Sequence, residues 1–139
     1  MGKIIALVSS KGGSGKSTVA VGLAAAFSSA KKNVLLIDVD EGARCLDTML
    51  DISGDTVFDI KDVLDGNASC EDAAMGIGSL PSLKLIPSPF ENKPLDFSRL
   101  AEFAVKESEN FDFVIIDTKG QLPASRLAEL SNTATFVSV

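Results

Sequence analysis

The 139-residue chain contains no histidine, no tryptophan and no tyrosine, and only two cysteines, Cys45 and Cys70. Without histidine there is no Ser-His-Asp triad, no Cys-His dyad and none of the commonest zinc ligand. Two isolated cysteines supply neither a disulfide framework nor a four-thiolate metal site within one chain. The missing Trp and Tyr remove the usual platforms for base stacking. Basic charge is also scarce: 13 Lys and Arg face 19 Asp and Glu, a net charge of -6. That balance disfavours direct binding to nucleic acid or to an acidic membrane surface. No apolar run approaches the roughly 18–20 residues of a membrane span. The apolar stretch after Lys3, Ile4 to Val8, is shorter than a signal-peptide core and is not followed by a small-residue cleavage site. It reads as a buried first strand, and the expected compartment is the cytoplasm.

What the chain does have is apolar residues, 45% of the total, in short runs that alternate with helical patterns. The length fits one domain. Lys3 to Ser10 and Asn33 to Asp38 are continuous apolar runs, as expected of parallel strands covered on both faces. Leu83 to Ile86, Phe111 to Asp117 and Ala134 to Val139 read as further strands. Helices are expected over Ser17 to Ala30, Arg44 to Leu50, Asp55 to Leu64, from Ser69 to near Gly76, Pro94 to Glu109 and Ala124 to Leu130. The alternation predicts an α/β fold, a mainly parallel sheet flanked by helices in three layers.

The strongest chemical signal lies between the first strand and the first helix. There the chain reads Lys11-Gly12-Gly13-Ser14-Gly15-Lys16-Ser17-Thr18. Glycines let the backbone wrap a phosphate with its N–H groups inward, and the following helix N-terminus adds a positive dipole. Lys16 is placed to meet the β- and γ-phosphates, and the Ser17 hydroxyl suits Mg²⁺. The plain alternative is a flexible Gly/Ser turn, which the Gly-Lys-Ser-Thr ending in a strand-to-helix setting argues against. Asp40 and Asp117 each follow an apolar strand, at the sheet edge where open α/β folds bind ligands. They read as Mg²⁺-facing or water-positioning carboxylates, with helix N-cap or turn roles as the alternative.

These motifs resemble the MinD/ParA family of deviant Walker A, P-loop ATPases, its MinD branch more than its ParA branch. The segment Asp38-Val39-Asp40 with Arg44, Leu46 and Asp47 resembles that branch's switch I. Thr56 to Gly66 and Leu85-Ile86-Pro87-Ser88 resemble the stretches that follow, and Phe113 to Asp117 resembles the Walker B strand. The resemblance implies a P-loop NTPase fold that binds ATP and Mg²⁺ through Lys11 to Thr18. It implies a face-to-face homodimer, with Lys11 reaching the partner's phosphates. Asp40 becomes the catalytic, water-positioning candidate alongside Lys11 and Lys16. Ser17, Asp40 and Asp117 become the metal-facing set, and Asp38 a support for switch I. It further implies that residues 1–139 are the N-terminal portion of such a domain, apparently truncated. No membrane-targeting helix is encoded in them.

One segment departs from the family pattern. Where the family reads Asp-Ser/Thr-Pro and then a glycine, this chain reads Asp117-Thr118-Lys119-Gly120-Gln121. Gln121 puts a side chain where a backbone N–H normally approaches the γ-phosphate. Two functions are therefore expected side by side. One is an ATP-hydrolysing dimeric switch that positions cell-division or other machinery, with a protein regulator as partner. The other is a nucleotide-binding regulator or scaffold that turns over poorly. A partition ATPase is a third reading, opposed by the acidic charge.

Overall fold

The computed structural model describes residues 2–8, 16–39, 57–90, 94–118 and 123–139. In chain order the elements are β1 (Lys3–Val8), α1 (Lys16–Ser29), β2 (Val34–Asp38), α2 (Ile60–Leu64), α3 (Cys70–Ala73), β3 (Met75–Ile77), β4 (Leu80–Ile86), α4 (Phe97–Glu107), β5 (Phe113–Asp117), α5 (Ala124–Ser131) and β6 (Thr135–Ser138). Among the described residues the six strands form one sheet, ordered β3-β4-β2-β5-β1-β6. All neighbours run parallel except the β3–β4 pair. Every residue of β2 is buried, which is what its unbroken apolar run requires of a strand covered on both faces.

Each sheet face has its own core. On one face Ala20 and Ala24 of α1 pack over Leu7, Leu36, Leu85 and Ile115. The small alanines let the helix backbone approach the sheet closely. The Phe27 ring stacks on Phe113 with centroids 3.9 Å apart, pinning the far end of α1 to the start of β5. On the other face Phe97, Leu100, Ala101 and Ala104 of α4 join Leu130 of α5, Ile60 of α2 and the opposite side chains of the strands, such as Leu35, Val114 and Ile116. The Arg126 guanidinium lies 5.0 Å from the centre of the Phe97 ring and ties α5 to α4.

The helix ends follow local chemistry. Helix α1 closes with Lys31 at φ 65, its N–H on the Ser28 carbonyl, while the Lys32 N–H reaches back to the Phe27 carbonyl. This pair of bonds is the Schellman arrangement that usually employs glycine at the left-handed position. Helix α2 begins later than the spacing predicts. Asp59 caps it, accepting from the Asp62 N–H, and Asp62 returns the bond to the Asp59 N–H. The second Asp59 oxygen accepts from the Phe90 N–H at 2.8 Å, so the cap also anchors the segment after β4. The helix expected over Pro94 to Glu109 is trimmed to Phe97–Glu107 by its Asp96 cap.

One expectation is corrected. The helix starting at Ser69 stops at Ala73 instead of running to near Gly76, and Met75–Ile77 turns back as a strand. Gly78 and Ser79 form the connection to β4, with Ile77 opposite Leu80 and Gly76 opposite Lys84. A four-residue helix has little cooperative stability of its own. Pairing with β4 satisfies the edge of the sheet and buries Ile77 in the α1-side core. The helix expected over Arg44 to Leu50 lies outside the described residues.

Candidate functional site

Strand β5 is the penultimate strand in the chain order, yet it sits between β1 and β2. The register places Leu7 beside Asp117 and Asp117 beside Asp38, a row across the carboxyl ends of three parallel strands. Leu36 and Ile115 belong to the α1-side core, so by strand alternation Asp38 and Asp117 project toward the same face. Both aspartates are buried, each 1% exposed.

Helix α1 starts above this row. Its first turn carries no acidic residue to offset the positive end of its dipole. The Ser17 hydroxyl donates to the Asp117 Oδ2 at 2.9 Å, joining residues 100 positions apart in sequence. The ends of the strands are stitched together around this contact. The Val39 N–H donates to the Asp117 carbonyl at 3.0 Å, and the Thr118 N–H to the Leu7 carbonyl at 3.3 Å. The Thr118 hydroxyl donates to that same Leu7 carbonyl at 2.6 Å.

Of the residues singled out from sequence, Ser17 and Asp117 are thus brought into direct contact. Lys16 is the first residue of α1, and Thr18 is exposed in its first turn. Lys11, Gly12, Gly13, Ser14, Gly15 and Asp40 lie outside the described residues. Two residues gain weight from the structure. Asp38, read from sequence as a support, is in register with Asp117. Thr118 was not singled out, although it directly follows the strand-end aspartate. A hydroxyl and carboxylates are hard oxygen donors, the chemistry Mg²⁺ takes. Among the described residues no cluster of three or more His, Cys, Asp or Glu is placed to hold a metal by itself. A Mg²⁺ ion here would draw its remaining ligands from phosphate and water.

A cleft of about 590 Å³ lies at the opposite, amino-terminal end of the sheet. Its lining includes Asn33, Cys70, Lys84, Lys106, Glu107 and Asn110. Burial and the neighbouring Glu107 carboxylate push the Cys70 thiol up to about 12, so it is protonated and a poor nucleophile at neutral pH. The carboxyl-end row is the better site despite this cleft, because its polar groups converge where strands, helix terminus and phosphate-loop sequence meet.

Residues 5–123 match the CobQ/CobB/MinD/ParA nucleotide binding domain. The chain belongs to that family. Relatives include the septum site-determining protein MinD of Synechocystis, 33% identical over 127 residues, which cover 89% of this chain and 47% of that one. The solved structure of the septum site-determining protein MinD of Pyrococcus horikoshii complexed with Mg-ADP superposes with a TM-score of 0.87 at 27% identity, over 100% of this chain and 58% of that one. MinD in the MinC:MinD complex of Aquifex aeolicus gives 0.83 at 29% identity, over 98% and 55%. The chain therefore spans about half the length of the relatives it matches. It is a MinD/ParA-type nucleotide-binding domain sequence on an α/β fold shared with solved MinD structures. No helix among the described residues is long and apolar enough to cross a membrane.

Proposed function

We propose that the protein binds ATP with Mg²⁺ at the carboxyl end of β1, β2 and β5, and acts as a cytoplasmic, ATP-hydrolysing dimeric switch of the MinD type. The observation that carries the reading is the 2.9 Å bond from Ser17 to Asp117. It joins the last part of the phosphate-loop sequence to the strand-end carboxylate, the two groups a Mg-nucleotide would share. In this reading Gly12 to Gly15 wrap the phosphates, Lys16 neutralises them, and Lys11 reaches a partner subunit's nucleotide. Asp40 positions the attacking water, while Ser17 and Asp117 face the metal. The homologues point to the process: MinD relatives carry septum-site names, and one is solved with MinC. A protein regulator and a role in placing division machinery follow as part of the proposal.

The sequence Lys119-Gly120-Gln121 favours a second reading, a domain that binds nucleotide but turns it over slowly. Calorimetry with MgATP on the wild type and on Lys16→Ala tests the binding claim. Binding that is lost in a folded Lys16→Ala protein supports it, and undiminished affinity rejects the loop assignment. Phosphate release from added MgATP then separates the switch from the slow binder. Light scattering tests the dimer, which should form with MgATP and vanish in Lys11→Ala.

A further inference from the structure

We propose that Thr118 is a positioning residue, whose hydroxyl sets where the Asp117 carboxylate stands relative to Ser17 and a nucleotide-bound Mg²⁺. The inference rests on the nucleotide reading above. Thr118 is 1% exposed and Leu7 is fully buried, so their bond is made away from water. The Thr118 N–H reaches the Leu7 carbonyl at 3.3 Å, at the long end for such a bond, whereas the hydroxyl reaches it at 2.6 Å. The side chain, not the backbone, therefore supplies the strong link. Leu7 is the residue in register with Asp117 and the penultimate residue of β1, the strand that leads into the phosphate loop. The hydroxyl thus clamps the end of the aspartate's strand to the end of the loop's strand. Threonine's branched Cβ restricts χ1, so the clamp has little play. Mg²⁺ demands near-ideal octahedral geometry, so a shift of a few tenths of an ångström at Asp117 should weaken the ion's hold.

The experiment measures ADP affinity by calorimetry across a Mg²⁺ titration, with an EDTA arm for metal-free binding. Thr118→Val keeps the volume and removes the hydroxyl. Its Mg²⁺ midpoint should rise about tenfold, a usual effect of losing an outer hydrogen bond to a metal-facing group. EDTA-arm affinity should stay within about twofold, since Thr118 does not face the phosphates in this assignment. Thr118→Ser restores the donor and should restore the midpoint. A merely structural threonine would lower thermal stability in Thr118→Val and leave the midpoint where it was, which overturns the proposal. If Thr118→Val does not fold, Thr118→Cys, a weak donor of similar size, must raise the midpoint; a wild-type value there also overturns it. A wild type that binds no ADP would reject the nucleotide reading and this inference together. Normal wild-type binding with an unmoved midpoint in the variants would reject the inference alone.

Discussion

Replacing Ser17 by alanine separates two contributions that one hydroxyl makes. In the ligand-free protein it donates to the Asp117 Oδ2 at 2.9 Å in a partly buried setting. A hydrogen bond to a charged group contributes about 1.5–3 kcal/mol. Alanine returns up to about 0.5 kcal/mol of helix propensity, because position 17 lies in the first turn of α1. The net loss should be about 1–3 kcal/mol. For a chain of this length that lowers Tm by about 3–10 °C. The second contribution appears only with Mg-nucleotide. Each tenfold loss of Mg²⁺ affinity removes about 1.4 kcal/mol of ligand-linked stability. Thermal melts in four conditions resolve the two: no ligand, Mg²⁺ alone, ADP with EDTA, and ADP with Mg²⁺. Ser17→Ala should melt lower in all four, keep the increment from ADP with EDTA, and lose most of the extra increment from Mg²⁺. Adding Asp117→Asn closes a double-mutant cycle, whose coupling in the ligand-free protein should be about 1–2 kcal/mol. An undiminished Mg²⁺ increment in Ser17→Ala, or a cycle coupling near zero, would refute the assignment of Ser17 and Asp117 to one site.

Four further outcomes are expected. Lys31→Gly should stabilise the fold by about 0.5–1 kcal/mol in urea unfolding, because relief of the left-handed strain at φ 65 exceeds glycine's added chain entropy; a loss of stability would contradict the αL reading of that turn. In a Cys45→Ser background, Cys70 should react with iodoacetamide at pH 8 at least tenfold more slowly than in urea, its thiol being held protonated. The folded thiol's raised pKa makes its contribution complete below the thiol's ordinary value of 9.0 and lost as pH climbs toward about 12, so stability relative to Cys70→Ala should fall across that window; a pH-independent difference would remove the shift. Asp40→Ala should retain MgATP affinity and lose at least about tenfold in turnover if Asp40 positions water, and unchanged turnover would leave it a turn residue.

The sheet was legible wherever its strands are unbroken apolar runs. Val34–Asp38 and Phe113–Asp117 announce burial on both faces, and the Asp that ends each marks the carboxyl edge. Helix α3 was legible at its start, where Ser69 and Asp72 exchange cap bonds, but not at its end. Met75–Ile77 carries too few residues for a period to show, and its strand state is set by pairing with Leu80–Leu85, not by local preference. The site divides in the same way. The residue types were legible, since a Gly-Lys-Ser-Thr run and strand-end aspartates each have a local chemical reason. Their partners were not, because no local pattern states that β5 inserts between β1 and β2. That insertion sets Leu7, Asp117 and Asp38 in one row, lowers the start of α1 onto Asp117, and gives Thr118 the Leu7 carbonyl as its acceptor. Asp38 and Thr118 were undervalued for one reason: each depends on a neighbour far away in sequence. A strand order with β5 at the sheet edge would keep every motif intact and still separate Ser17 from its carboxylate. The chemistry proposed for this chain is therefore a property of its topology as much as of its phosphate-loop sequence.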